Sequence, residues 1–413
     1  MNVAVVSVCA LAIAVAVSCV SRLNVGVLSL AFAWIVGVYI AGMPLNAVMA
    51  GFPSQLFLTL AGVTLLFALA QTNGTLERLV HHAVRLCRGN RGTIPIVFFA
   101  LGAALSSIGP GNIASAALLA PLAMATAART GIPLFLMAIM VGNGANSGAL
   151  SPIAPTGIIV DGLMAKHGLP GLETRAYLYN LLAHALVAFA GYAMFGGIGL
   201  FRAGRTSAPE IGDGPHGAPF ERRHWITMAV IGALIVSVIA AGVHVGMGAF
   251  AGAAILVLTG SADDGEAVKR MPWRVIVMVC GVTVLIALVE KTQGLGLLVS
   301  LVARIASPAS VTGVVAFLTG VVSVYSSTSG VVLPAFLPLV PGLAQQLPGA
   351  SAAGIAMSMN IGGHLVDVSP LSTIGALCMA GASADESRGL FNRLLAWGLS
   401  MTIVGAIICF VLF

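Results

Sequence analysis

The sequence predicts an all-α polytopic membrane protein made of two inverted repeats, each with five spans and one re-entrant hairpin. Three observations predict it. The 413 residues are 59% hydrophobic and only 8% charged, where a soluble globular domain carries about 25% charged residues. Apolar runs of the length needed to cross about 30 Å of hydrocarbon follow one another along the chain. Motifs of the first half recur in the second half in the same order.

Composition narrows the function classes. The net charge is +6, but the 19 Lys and Arg lie in short loops. That fits a positive-inside bias and not a nucleic-acid partner. The 50 glycines and a mean hydropathy of +1.04 fit a lipid bilayer, where glycine is frequent in helices. Six cysteines, at 9, 19, 87, 280, 378 and 409, form no CxxC or Cys/His cluster. They read as small hydrophobes, not as disulfides or metal ligands. Val3 to Val20 lacks the basic start of a signal peptide and another span follows at once, so it reads as a true helix.

The apolar runs are 2–20, 24–42, 55–72, 92–129, 132–166, 175–200, 225–243, 245–260, 273–290, 308–344, 349–382 and 387–413. Four are too long for one straight helix. Run 92–129 is interrupted at Gly109-Pro110-Gly111-Asn112 and run 308–344 at Ser326-Ser327-Thr328-Ser329-Gly330; these read as hairpins. Run 132–166 is interrupted between Gly142 and Gly148, then at Ser151-Pro152 and Pro155, and run 349–382 at Gly362-Gly363 and Ser369-Pro370; these read as broken helices. Such breaks are tolerated in a membrane only where the freed backbone is buried in protein or lines a cavity. After the third span, Thr75 to Cys87 has apolar residues at 76, 79, 80, 83 and 86, the face of a helix lying in the interface over 75–89. Leu295 to Ile305 is its counterpart.

The repeat is legible in short matches. Gly62-Val63-Thr64-Leu65-Leu66-Phe67-Ala68-Leu69 parallels Gly281-Val282-Thr283-Val284-Leu285-Ile286-Ala287-Leu288. Pro121-Leu122 parallels Pro338-Leu339, which sets Asn112 opposite Ser329, and Ser151-Pro152 with Gly157 parallels Ser369-Pro370 with Gly375. The chain therefore divides into repeats of about 1–200 and 225–413, joined by a polar linker over 201–224. Five crossings per repeat, an odd number, invert the second repeat. With that count Arg22, Arg78, Arg85, Arg88, Arg91, Arg129, Arg202, Arg205, Arg222, Arg223, Lys269, Arg270, Arg274, Arg388 and Arg393 share one side, against Lys166, Arg175, Lys291 and Arg304 on the other. This bias makes the first side cytoplasmic and both termini periplasmic, in a bacterial inner membrane.

Transporters place substrate and coupling-ion sites near the midplane at broken helices in inverted repeats. Half-helix N-termini suit an anion, and freed carbonyls suit a cation such as Na⁺. The first hairpin tip offers Ser106, Ser107 and Asn112, with Ser115 one turn further; the second offers Ser326, Ser327, Thr328 and Ser329. The first broken helix offers Asn143, Asn146, Ser147, Ser151 and Thr156, and the second Asn360, His364, Asp367, Ser369, Ser372 and Thr373. Asp367 and His364 are three apart and share a helix face. Ionisable residues within a span are costly and usually functional, so this pair is read as binding Na⁺, relaying a proton or orienting substrate. His184 and Asp161 also lie within spans; the first reads as a packed residue and the second as reaching water. No Lys or Arg falls at a break, so a carboxylate substrate would be met by amides, hydroxyls, helix N-termini and a co-bound cation.

There is no GxxxxGK[ST] loop for an ATP motor and no HExxH motif. An enzyme is poorly supported, and no cofactor is expected beyond Na⁺ or H⁺ as coupling ion. Two rivals stand beside a carrier: a cation/proton antiporter with Asp367 as the exchanging carboxylate, and a non-transport membrane enzyme or assembly factor.

The stretch Gly51 to Gly89, the hairpin Gly109 to Ala123 and the broken helix Asn143 to Gly157 resemble the MatC-type malonate/dicarboxylate carriers of the ion transporter superfamily. Divalent anion/sodium symporters are their relatives. The resemblance is best over about 1–200. It implies symport of malonate or a C4 dicarboxylate by a homodimer working as an elevator. Spans 1–72 and 225–290 would form the scaffold, 92–200 and 308–413 the transport domain, and 75–89 and 295–305 the connecting arms. On that reading Asn112, Ser115, Asn146, Ser147, Thr156, Ser327, Thr328, Ser329, Ser372 and Thr373 hold substrate. Ser107, Asn143, Ser151, Asn360, His364, Asp367 and Ser369 hold the coupling ion. The relatives carry Ser-Asn-Thr at each tip, where this chain has Pro110-Gly111-Asn112 and Ser327-Thr328-Ser329. That departure sets proton coupling beside Na⁺ coupling.

Overall fold

In hydrocarbon each backbone N–H and C=O must be satisfied within the chain, which leaves helices and closed barrels as spanning structures. The computed structural model describes residues 2–20, 23–85, 90–202, 219–380 and 384–413. Among them the regular structure is helical, with no strand.

The chain opens with α1 (Val3–Val20), α2 (Val25–Trp34, prolonged by a π-helical stretch over Ile35–Ile40), a short α3 (Leu45–Met49), α4 (Ser54–Thr72) and α5 (Thr75–Arg85). The rest of the expected 75–89 helix, Cys87 included, lies outside the described residues. The first hairpin is α6 (Thr93–Ile108) and α7 (Gly111–Thr130). The first broken helix is α8 (Leu134–Ser147) and α9 (Pro155–Lys166), followed by α10 (Glu173–Met194) and α11 (Gly197–Arg202).

The second half has α12 (Arg222–Ala241), α13 (Val245–Leu258), α14 (Asp264–Arg270), α15 (Trp273–Lys291) and α16 (Gly294–Ile305). Its hairpin rises on α17 (Val311–Tyr325) and returns irregularly, through a π-helix at Thr328–Val332, α18 (Leu333–Phe336), a 3₁₀ turn at Leu337–Leu339 and α19 (Val340–Gln346). Prolines 334, 338 and 341 remove backbone donors along this arm, which explains its broken course. Then come α20 (Ala352–Leu365), α21 (Thr373–Ala380) and α22 (Ala384–Leu412). Among the described residues six helical stretches are long and apolar enough to cross a membrane: α4, α7, α10, α15, Thr328–Gln346 and the body of α22. The helices α1, α2, α6, α8, α13, α16 and α17 are apolar but shorter.

Helices α6, α7, α8, α10, α17, α20 and α22 share one apolar core. A second core joins α4, α13 and α15 to α9, α17 and α20. Helix α2 packs on α15 and α4 on α13. These two contacts are built alike. A Cβ on Gly26 would strike the backbone of Val277 and Met278, and one on Gly281 that of Gly26; likewise Gly62 abuts Gly246, and Gly246 abuts Thr59. Small residues let membrane helices approach to backbone contact, where van der Waals packing holds them.

The turn of the first hairpin is fixed by glycine. Gly109 has φ 137° and Gly111 φ 82°, values that side chains with a Cβ rarely adopt. The second turn needs none: Ser327 caps the returning arm by accepting the Gly330 N–H at 3.2 Å.

Two expected interruptions move. Gly142-Asn143-Gly144-Ala145-Asn146-Ser147 is helical to the end of α8, and Gly362-Gly363 lies inside α20. The breaks fall later, over residues 148–154 and 366–372. The glycines serve packing instead. Gly144 sits against the Phe99 backbone on α6 and Gly362 against Ala316 on α17, so each broken helix lies flush on the first arm of its hairpin.

Candidate functional site

The hairpin turns and helix breaks deliver helix N-termini to one region. Asn112 is the second residue of α7, Thr156 the second of α9, Ser329 the second of the π-helix and Thr373 the first of α21. Unpaired N–H groups and partial positive charge gather at such ends, which favours an anion.

Two cavities meet there. One, of about 240 Å³, is lined by Pro110, Gly111, Asn112, Thr156 and Ser329, with Thr64, Gln71 and Arg270. The other, of about 350 Å³, has Asn112 and Ser329 again, with Ser326, Ser327, Thr328, Asp367, Ser372, Thr373 and Arg274. Sharing Asn112 and Ser329 makes them two chambers of one site. Their size is near the lower end of the roughly 300–1,000 Å³ of drug-sized sites, which suits a small solute.

The wall is held by a polar network. Asn112 Nδ2 donates to Asn146 Oδ1 at 2.9 Å, and Thr156 Oγ1 donates to Asn112 Oδ1 at 3.3 Å. The Asn112 amide is thereby oriented by both halves of the first broken helix. Across the site Thr328 Oγ1 donates to Asp367 Oδ1 at 2.7 Å, tying the second tip to the second break. Ser372 Oγ donates to the Ser369 carbonyl at 2.8 Å and to the Asp367 carbonyl.

The cavities therefore bring together Asn112, Thr156, Ser327, Thr328, Ser329, Asp367, Ser372 and Thr373 from the residues singled out in the sequence. The others stand behind the wall. Asn146 acts through Asn112, and Ser147 Oγ turns back to Gly144 O at 2.7 Å. Ser107 Oγ donates to Ala103 O at 2.6 Å and lies 2.9 Å from the Tyr177 hydroxyl; Ser151 Oγ donates to Ser107 O at 2.7 Å, stitching hairpin to break. Ser369 Oγ accepts the Leu371 N–H at 3.4 Å. Ser115, Asn143, Asn360 and His364 are buried and line neither cavity.

The expectation that no Lys or Arg meets the site is corrected. Arg270 and Arg274 are remote in sequence from every break, yet each lines a chamber. The short α14 and the start of α15 carry them there. Lys269, beside them, is engaged elsewhere. Its Nζ donates to Glu266 Oε1 at 2.7 Å, and that bond together with the carboxylate charge raises the Lys269 pKa. Gln71 and Thr64, also on the wall, were missed as well; the one sequence signal for Thr64 was its place in the repeated Gly-Val-Thr motif. Among the described residues no group of three His, Cys, Asp or Glu side chains stands ready for a metal ion.

Residues 1–149 match the dicarboxylate carrier protein MatC N-terminus. That stretch holds the first hairpin and the whole of α8, so the resemblance read from the sequence is borne out there. Over the chain as a whole, the fold is similar to that of the Alcanivorax borkumensis YdaH transporter. The TM-score is 0.62 at 17% identity, over 88% of this chain and 86% of that one. No curated protein matches significantly. A carrier-family match joined to a fold shared with a transporter supports a membrane transporter and not an enzyme.

Proposed function

We propose that the chain is a secondary transporter that imports a small dicarboxylate, malonate or a C4 dicarboxylate, by cation-coupled symport across a bacterial inner membrane. One observation carries this reading: Asn112 and Ser329, from the tips of the two hairpins, line the same pair of chambers. Substrate lies between the tips, its carboxylates met by helix N-terminal amides, by Asn112, Thr156 and the hydroxyls of Ser327 to Ser329, and by Arg270 and Arg274.

Coupling follows from charge. Asp367 shares a chamber with Arg274, so an anion entering beside an ionised Asp367 brings like charges together. A cation taken up there, Na⁺ or H⁺, removes the repulsion, and anion and cation then bind as a pair.

The architecture is read as two inverted repeats working as an elevator. The glycine contacts of α2 with α15 and of α4 with α13 pair residues at matching positions of the two halves, which supports the repeat. So does the close packing of Gly157 on Ser151 and of Gly375 on Ser369. The scaffold would be 1–72 and 225–290, and the transport domain 92–200 and 308–413, in a homodimer with periplasmic termini. Arg270 and Arg274 belong to the side read as cytoplasmic, so the chambers face inward.

The test is uptake of labelled malonate into proteoliposomes under Na⁺ or H⁺ gradients imposed separately, with unlabelled dicarboxylates as competitors. Uptake driven by one gradient and blocked by dicarboxylates supports the reading and names the ion. Cation flux without any organic substrate would replace it with antiport.

A further inference from the structure

Behind the cavity wall, α10 packs against both α8 and α20, and polar side chains meet there in full burial. Asn143, Asn146, Asn180, His184 and His364 are 0% exposed and Asn360 is 1%. Among the described residues five of their atoms have no hydrogen-bond partner: Asn146 Nδ2, Asn180 Oδ1, His184 Nε2, Asn360 Oδ1 and His364 Nε2. A buried polar atom left without a partner is costly, so the region calls for an occupant.

The hydrogen bonds define what kind. His364 Nδ1 lies 2.8 Å from the Asn360 carbonyl oxygen, which only accepts. His184 Nδ1 lies 2.9 Å from Asn143 Oδ1, while Asn143 Nδ2 is spent on Ile139 O at 2.8 Å. Both Nδ1 atoms therefore carry the proton, and both Nε2 atoms present lone pairs. With Asn180 Oδ1 and Asn360 Oδ1 that makes four acceptors to one donor, Asn146 Nδ2. Imidazole nitrogen is a poor ligand for Na⁺, which takes oxygen. Water supplies donors but only completes such a site; a proton matches its excess of acceptors.

Other charge is sparse around the pair. Neither α8 nor α17 has an acidic or basic side chain; α9 brings Asp161 and Lys166, α10 has Glu173 and Arg175 in its first turn, and α22 has Glu386, Arg388 and Arg393 near its start. Asp367 follows His364 by three residues and lines the chamber, which connects the pair to the substrate site.

We propose that His184 and His364, bridged by buried water, are the proton-binding site of this transporter. The inference rests on the transport reading and fixes its coupling ion. A proton entering from the chamber by way of Asp367 bonds to an Nε2 lone pair, turning one imidazole into imidazolium as the anion binds. It leaves from the same atom when the anion is released. Each transfer breaks an O–H bond, on the Asp367 carboxyl or the bridging water, as the N–H bond forms, and release reverses it.

The test uses the full chain in proteoliposomes, with wild type compared to His184→Asn and His364→Asn. Asparagine keeps a donor near the Nδ1 position and removes Nε2. Inside-alkaline pH gradients drive labelled malonate uptake in wild type, with proton entry followed by an internal pH dye. In either variant gradient-driven uptake is expected to fall at least ten-fold and the dye signal to vanish. Malonate exchange without a gradient should lose its pH dependence in His184→Asn, which a merely structural role would not produce. Wild-type proton-coupled uptake in both variants overturns the proposal, as does exchange in His184→Asn that is lost or keeps the wild-type pH profile. Wild-type uptake driven by a Na⁺ gradient alone overturns it and leaves the carrier reading intact. Absence of both exchange and uptake in wild type overturns both.

Discussion

Replacing Asn112 by Ala is the sharpest test of where the substrate sits. The Asn112 amide binds Asn146 at 2.9 Å and Thr156 at 3.3 Å, and lines both chambers. A hydrogen bond to a charged group contributes about 1.5–3 kcal/mol. At about 1.4 kcal/mol per factor of ten, a carboxylate losing Asn112 should bind about 10- to 150-fold more weakly. The same change strips a partner from the buried Asn146, so stability should fall by about 1–3 kcal/mol, which a folded domain survives. Two assays separate these effects: the concentration dependence of malonate counterflow in proteoliposomes, and thermal unfolding in detergent. Ser329→Ala removes one hydroxyl that meets the same carboxylates, a contact also worth about 1.5–3 kcal/mol, so KM should again rise about 10- to 150-fold. If both variants show wild-type kinetics, the substrate does not lie between the tips and the reasoning fails.

Three further predictions concern the surrounding frame. Arg270→Gln and Arg274→Gln should each raise KM for the dianion on the side that the chambers face, and the double variant should steepen that loss; unchanged KM in both would remove the arginines from recognition. Gly144→Val and Gly362→Val should each break the flush packing of a broken helix on its hairpin arm, because the new Cβ meets the backbone of Phe99 or of Ala316. Overpacking costs about 1–3 kcal/mol and a backbone clash more, so a lower unfolding temperature or lost expression is expected, while Gly199→Ala, with open space at its Cβ, should be silent. Asp367→Asn removes the like charge beside the anion and should leave substrate binding intact while weakening its dependence on the coupling gradient, read as uptake with and without that gradient.

The sequence by itself determined the helical membrane class and the two hairpin tips. Those features are local. Low charge and run length decide what enters hydrocarbon, and Gly109-Pro110-Gly111 imposes its turn on any fold that contains it. The sequence also pointed to Asn112 and Ser329 as counterparts, through short matches at fixed spacing. The tertiary structure decided the rest. Whether a Gly-rich stretch breaks a helix or lets it lie against another depends on the neighbour, and Phe99 and Ala316 made Gly144 and Gly362 packing residues. Whether a loop arginine serves topology or substrate depends on where the next helix carries it, and α14 and α15 brought Arg270 and Arg274 to the chambers. His184 read alone as a packed side chain; its bare Nε2 emerged once α10 was laid beside α20. Local backbone preference and hydropathy are written along the chain, whereas recognition is assembled from residues far apart in it, and their approach is set by packing that no single segment encodes.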